Sequence, residues 1–284
     1  MEVTLTPTGL PEALEMRAEH PGAVPIAGGT DLMVELNFDR RRPDRMMDVT
    51  RIPELGALEL DNGHIRLGAG VPYTRIVDEL GVAAPGLAMA SRTVGSPQIR
   101  NRGTVGGNLG TASPAGDALP PLVAAGATVE LASAAGTRTV RAADFCVAPK
   151  RNVLEPGELI VAVRLPAAPG PQQFAKVGVR NAMVIAVCSF ALAIDVEARR
   201  VTTAIGSAAP TIVSAREAEA FIDGVLDEGG LWERPAALGE APLVRFGELV
   251  AAASRPIDDV RGTASYRRHA LGVLTRRALE RCLT

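Results

Sequence analysis

Two glycine-rich segments hold the residue types from which an anion-binding site can be built. In the first, Ala27-Gly28-Gly29-Thr30-Asp31-Leu32 follows the short apolar stretch Val24-Pro25-Ile26 and leads into a helix-like run through Leu36. Adjacent glycines let the backbone curl until successive N–H groups face one concavity, and such nests bind anions. Thr30 adds a hydroxyl donor, and the start of a helix adds a favourable dipole. The same residues also spell a tight strand-to-helix turn with no ligand. The second segment runs Gly103-Thr104-Val105-Gly106-Gly107-Asn108-Leu109-Gly110-Thr111-Ala112-Ser113-Pro114-Ala115-Gly116-Asp117. Gly106 and Gly107 permit close backbone approach, while Thr104, Asn108, Thr111 and Ser113 offer small hydrogen-bonding groups. Asp117, placed where an apolar helix begins, accepts either from a sugar hydroxyl or from the N-terminus of that helix. Two nests in one domain can grip two phosphates without a G-x-G-x-x-G fingerprint, which is absent here.

Other chemistries find no support. There is no Walker sequence, no zinc-protease histidine pair and no nucleophile elbow. His20, His64 and His269 are isolated, and no pair of carboxylates stands out as an acid–base couple, so no catalytic side chain and no metal ligand is expected. Cys146, Cys188 and Cys282 are too scattered for a disulfide framework or a zinc site, and too few for an iron–sulfur cluster. With 30 basic and 32 acidic side chains, the formal charge is −2, which gives no electrostatic argument for nucleic acid or an anionic membrane. Aromatics are only 3% of the chain, so stacking platforms for bases are not expected either. The first residues lack the basic and apolar regions of a signal peptide, and no apolar run nears the ~20 residues of a membrane span. A reducing cytoplasm is the expected location.

The elements that must position the two glycine segments follow from turn chemistry. Residues 10–20 place Leu10, Ala13, Leu14 and Ala18 on one helical face, ended by Pro21-Gly22. Residues 46–49 read as a strand. Leu58 to Asp61 and His64 to Leu67 alternate around Asn62-Gly63, a two-residue hairpin signal. A helix is predicted over 72–80, another from Asp117 to near Gly126, a hairpin over 127–133 and 137–141, and a strand over 158–165. Residues 167–171 hold only Ala, Pro and Gly and read as a linker. Beyond it, the apolar run 184–194 pairs with 201–205 across a turn near Glu197-Ala198-Arg199. Ser214-Ala215-Arg216-Glu217 reads as a capping box for a helix ending at Gly224. Helices over 242–254 and 263–283 close the chain, the last with Tyr266, Ala270, Leu274 and Ala278 on one stripe and arginines on the other faces. Sheet and helices in separate runs make an α+β pattern rather than regular βαβ alternation.

Residues 27–32 and 104–117 together resemble the paired signature of the FAD-binding medium subunits of molybdenum hydroxylases, the group of the xanthine dehydrogenase and aerobic carbon monoxide dehydrogenase flavoproteins. Arg100-Asn101-Arg102, Pro156-Gly157-Glu158-Leu159-Ile160, Lys176-Val177-Gly178-Val179-Arg180, Gly206-Ser207-Ala208-Ala209-Pro210 and Asp259-Val260-Arg261-Gly262 fit the same pattern in the same order. The resemblance covers nearly the whole chain. It implies a two-lobed FAD-binding domain of the vanillyl-alcohol-oxidase (PCMH) type over 1–170, with lobes of about 1–56 and 57–170. A C-terminal domain over 171–284, a three-stranded antiparallel sheet with helices, would follow.

The resemblance also implies roles. FAD would lie between the lobes, its pyrophosphate held by Ala27, Gly28, Gly29, Thr30, Asp31 and Leu32 and by Gly107 and Asn108. Thr104 and Thr111 would add contacts along the cofactor, Asp117 would bind a ribose hydroxyl, and Val94 and Gly95 would approach from the preceding segment. Leu159 and Ile160 would make apolar contacts and Lys176 would stand near FAD. The partners would be a large subunit with the molybdenum cofactor and a small subunit with two-iron, two-sulfur clusters. Electrons would pass from those clusters through FAD to NAD, oxygen or another acceptor. Some xanthine dehydrogenases carry acidic residues beside the flavin where this chain has Met183-Val184, so the resemblance leaves the acceptor open. The alternative is a self-sufficient flavin oxidoreductase of the same fold acting on a small substrate, for which the sequence offers no acid or base.

Overall fold

A computed structural model of the chain describes residues 3–284. Val24–Ile26 and Val3–Leu5 flank Arg45–Asp48, and both run parallel to it. Parallel neighbours need a crossover, and the helix Leu10–Glu19 follows Val3–Leu5 to provide one. Its buried face differs from the apolar stripe read from sequence. Ala13 is buried and Leu10 and Leu14 are half-buried, but Ala18 is exposed and Arg17 takes the inner position of the last turn. The Arg17 guanidinium donates to the carbonyls of Pro21 (2.9 Å) and Ala23 (2.5 Å), so a cation closes the helix end that Pro21-Gly22 terminates.

A second, five-stranded sheet is antiparallel, in the order Leu58–Asp61, His64–Gly68, Leu159–Pro166, Thr128–Ser133, Gly136–Arg141. The Asn62-Gly63 hairpin forms as expected, with φ of 48° and 74°, the left-handed pair a two-residue turn of this kind requires. Leu159–Pro166 is central, and its buried Val161, Ala162, Val163 and Leu165 face cores on both sides. Several helices here are not foreseen from sequence: Pro85–Thr93, Pro97–Arg100, Val105–Thr111 and Ala142–Phe145. The helix expected to open at Asp117 runs from Leu119 to Ala124 with Ala118 at its N-cap, so Asp117 caps nothing.

The third sheet joins Gln172–Val177, Cys188–Asp195 and Arg200–Gly206, all antiparallel. Its central strand is buried on both faces, and the alternation of side chains says what lies on each. Phe190, Leu192 and Ile194 point into a core with the helices Arg216–Glu228, Glu240–Ala253 and Ala264–Leu283. Ala191 and Ala193 face the other way, where small side chains let Ala90 and Ala124 of two helices from the preceding sequence pack close. Burying each large side chain contributes about 1.5–3 kcal/mol.

Two expectations about these helices fail. Arg216–Glu228 has Ala215 at its N-cap with no side-chain bond to the helix, so Ser214 completes no capping box, and the helix continues past Gly224. Thr263 does cap the last helix through the Tyr266 amide (3.2 Å), and Ala270, Leu274 and Ala278 face the core as expected, but the stripe fails at its first member. Tyr266 is exposed and Arg267 is buried, donating to the carbonyls of Val187 (3.0 Å) and Ser207 (2.6 Å) and to Asp259 (2.6 Å). Cationic reach to carbonyl oxygens, which no periodicity of apolar residues reports, decides both this helix and the first.

Among the described residues, no helix is long and apolar enough to cross a membrane.

Candidate functional site

A cleft of about 1010 Å3 opens between the loop after Val24–Ile26 and the segment from Val94 to Asp117, and it is lined by every candidate residue named from sequence. The first glycine segment fits the nest expectation. Among the described residues, none accepts a hydrogen bond from the amides of residues 27–32. The Gly29 φ of +72° turns the chain, and the helix Leu32–Asn37 begins directly after it. Unpaired donors beside a cleft are an anion site in waiting.

The two segments converge. At Gly28 a built Cβ would lie 1.8 Å from the Arg102 carbonyl oxygen, so this position is glycine because the backbone before the second motif rests on it. A second link joins the Thr111 hydroxyl to Asp31 (3.2 Å).

The second segment is not a nest. Thr104 is the N-cap of Val105–Thr111, its hydroxyl accepting from the Gly107 amide at 2.9 Å. The amides of Gly106 and Asn108 go to the carbonyls of Ala69 (3.1 Å) and Thr104 (3.0 Å). The amides of Gly106, Gly107 and Asn108 are therefore spent, and neither Gly107 nor Asn108 can offer one to a pyrophosphate. What the segment offers is room. Gly106 lies against Ala69, where a Cβ would meet the backbone oxygen at 2.5 Å, whereas Gly107 is exposed to the cleft and a Cβ there would touch only the Thr104 hydroxyl, at 3.2 Å. Thr104 itself is 6% exposed and acts on the helix rather than along the cleft.

Asp117 and Lys176 form a buried pair. Lys176 Nζ donates to Asp117 Oδ2 at 2.5 Å and to the Thr93 carbonyl at 3.2 Å, and the Thr93 hydroxyl donates to the same carboxylate oxygen at 3.0 Å. Both side chains are less than a tenth exposed. Burial pushes the Asp117 carboxyl up from the usual carboxylate range, and Lys176 and Thr93 oppose that rise. Asp117 Oδ1 is buried with no partner, as is Asn108 Oδ1. Gly116 lets the chain pass Asn108, whose side chain would be 2.7 Å from a Cβ there.

The remaining candidates line the same cleft. Gly95 has φ of +45°, and the carbonyls of Val94 and Gly95 both accept from Arg100 at 3.1 Å. Leu159 is buried and Ile160 half-buried beneath Gly110. Sequence reasoning did not find Tyr73, Lys150 or Glu35, which also line it; Lys150 donates to Glu35 at 2.6 Å. Tyr73 is one of only two tyrosines, a scarcity that is the sole sequence signal it carries.

Residues 2–168 match the family described as the FAD binding domain in molybdopterin dehydrogenase, and residues 173–282 match the CO dehydrogenase flavoprotein C-terminal domain. The chain is a flavin subunit of the molybdenum hydroxylase family. The glyceraldehyde dehydrogenase medium chain of Sulfolobus acidocaldarius is 31% identical to this flavin subunit over 276 residues, 95% of this chain and 94% of that one. The carbon monoxide dehydrogenase medium chain of Afipia carboxidovorans is 29% identical, covering 91% and 88%. Among solved structures, quinoline 2-oxidoreductase from Pseudomonas putida 86 superposes with a TM-score of 0.90 at 25% identity, covering 100% of this chain and 97% of that one.

FAD is the cofactor of such subunits, and the residues present fit it. A diphosphate needs donors, and the amides of residues 27–32 supply them. Hydroxyls need acceptors, and Asp117 Oδ1 and Asn108 Oδ1 are buried without partners. A planar ring system needs apolar walls, and Leu159, Ile160 and Met183-Val184-Ile185 line the cleft.

Proposed function

We propose that this chain is the electron-transfer part of a three-part cytoplasmic enzyme, in which a large subunit holds the molybdenum cofactor and a small subunit holds two-iron, two-sulfur clusters. FAD held in the cleft would supply the redox chemistry that links the clusters to NAD, oxygen or another acceptor. The chain's own residues bind, orient and enclose. The amides of 27–32 hold the diphosphate, Asp117 accepts from a hydroxyl, Lys176 and Thr93 fix that carboxylate, and Leu159 and Ile160 pack against an apolar face. Thr104 serves by holding the helix that presents Gly107, and Thr111 by tying that helix to Asp31. Val94 and Gly95 shape the cleft wall. We further assign residues 1–170 to a two-lobed FAD domain of the vanillyl-alcohol-oxidase type, with lobes of about 1–56 and 57–170, and 171–284 to the C-terminal domain.

The observation that carries this reading is the row of unpaired amides at 27–32 facing the same cleft as the unpaired carboxylate oxygen of Asp117. The carboxylates Asp117, Glu35 and Glu158 that line the cleft are engaged with Lys176, Lys150 and Arg138, which favours an electron carrier over an enzyme that handles an organic substrate itself.

Purified chain should be yellow, and its flavin should be reduced by a reduced iron–sulfur partner subunit in rapid mixing while organic donors alone leave it oxidised. Turnover of an organic donor by the isolated chain would instead establish the self-sufficient alternative. Gly107→Val supplies a sharper test of the cleft. Its Cβ would touch only the Thr104 hydroxyl and the rest of the side chain enters the cleft, so circular dichroism should match wild type and thermal melting fall only slightly while flavin content falls below about a tenth of it, a loss of roughly 1.4 kcal/mol or more. Full occupancy in the variant would remove Gly107 from the site.

A further inference from the structure

Tyr73 is a buried residue of the cleft whose polar atom has no partner and to which the roles above give no work. It begins the helix Tyr73–Glu79, its amide donates to the Gly103 carbonyl at 3.0 Å, and its ring lies under Gly103, where a Cβ would meet it at 3.3 Å. The side chain is 3% exposed, and the phenolic oxygen is buried with no hydrogen-bond partner. Burial and the charge of Asp117 both raise its pKa, so the phenol keeps its proton and remains a donor. Asp117 Oδ1, lining the same cleft, is an acceptor without a partner, because Oδ2 takes both Lys176 and Thr93.

A buried donor and a buried acceptor, each without a protein partner and both lining one cleft, can be satisfied by one ligand that offers both an acceptor and a donor. A phosphate oxygen accepts only, and the carboxylate would repel it. An amide N–H donates only and would leave the phenol idle. A polyol does both, its hydroxyls donating to the carboxylate and accepting from the phenol.

We propose that Tyr73 is a cofactor-positioning residue, donating its phenolic hydrogen bond to a hydroxyl of the cofactor's polyol, while Asp117 Oδ1 accepts from that polyol. This rests on the flavin reading above and deepens it, because it orients the ligand: polyol at Tyr73 and Asp117, diphosphate at residues 27–32. FAD carries such hydroxyls on its ribityl chain and on the ribose of its adenosine. The shared chemistry is the polyol, and the source is for experiment.

The full chain, stripped of flavin, is titrated as wild type and as Tyr73→Phe with FAD, riboflavin, ADP-ribose and lumichrome, the last having the ring without a polyol. Tyr73→Phe should weaken FAD about tenfold and leave lumichrome unchanged. A matching loss on riboflavin assigns the ribityl chain, and one on ADP-ribose assigns the ribose. The flavin-free variant should melt no lower than wild type, since the hydroxyl it lacks has no partner in the protein. Equal FAD affinity in the two proteins overturns the proposal, as does equal weakening of lumichrome and FAD, which would mark Tyr73 as part of the scaffold. A wild-type chain that takes up no FAD would overturn the flavin reading, and this inference with it.

Discussion

Gly28→Ala should give a colourless protein. The added methyl has no room: it would lie 1.8 Å from the Arg102 carbonyl oxygen, 2.4 Å from its carbon and 2.9 Å from the Gly103 amide nitrogen. These are backbone atoms of the segment that enters the second glycine motif, so no rotamer change relieves them. The first loop must retreat, and it carries the amides of 27–32 with it. Donors aimed at an anion act through position, and a shift of about 1 Å in such a constellation costs on the order of 100-fold. FAD affinity should therefore fall at least 100-fold, about 2.8 kcal/mol, with a further 1–3 kcal/mol lost from stability through overpacking. Gly22→Ala is the control, since nothing lies within 4 Å of a Cβ there, and it should keep full colour. Isothermal titration of the flavin-free chains with FAD checks both. Near-normal affinity in Gly28→Ala would mean the two bends need not touch for the cofactor to be held, and the convergence argument would fall.

How far the sequence alone carries depends on which physical signal each element leaves. The Asn62-Gly63 hairpin is legible because only a few residue types tolerate two successive left-handed conformations. The strand Cys188–Asp195 is legible because burial on both faces removes every polar residue but Ser189 from its interior. Val105–Thr111 is not, since Val-Gly-Gly-Asn-Leu-Gly-Thr has poor helix propensity. It forms because Thr104 caps it, because Val105 and Leu109 are buried, and because Gly106 fits against Ala69. The run has the local composition of a nest, but tertiary contacts make it a helix. The first segment behaved differently, as a glycine pair after a short strand does leave its amides unpaired. Sequence therefore placed the right residues at the cleft without telling which act through free amides and which by being small. Asp117 is legible from its place after the glycine run and Lys176 only through the resemblance, but their pairing across 59 residues of chain has no local signal at all. Tyr73 shows the limit most clearly: its importance lies in a missing partner, which only coordinates reveal.

Lys176→Met should cost about 3–5 kcal/mol of stability near neutral pH, the usual consequence of removing one member of a buried ion pair. Methionine fills similar space on the strand Gln172–Val177, so the loss reports charge rather than a cavity. Asp117 would then be a buried carboxylate with only the Thr93 hydroxyl as donor. Its carboxyl already titrates above the usual range because burial outweighs the help of Lys176, and without that help it rises further. The sign follows from linkage. For an acid whose folded pKa exceeds its unfolded value, the folded state binds the extra proton, so stability is greatest below the unfolded pKa and declines as pH rises through the folded one. Lys176→Met should therefore lose stability more steeply with pH than wild type over the range above about 4, where unfolded aspartate is ionised. Urea denaturation at successive pH values would measure the difference in slope. Adding Asp117→Asn removes the stranded charge and should restore much of the stability and flatten the slope. FAD affinity should stay low in Lys176→Met, because a carboxyl that holds its proton no longer accepts from a cofactor hydroxyl as strongly as a carboxylate does. A single variant whose stability and pH slope match wild type would show that the pair is not electrostatically coupled, and that Lys176 is held there by its contact with the Thr93 carbonyl alone.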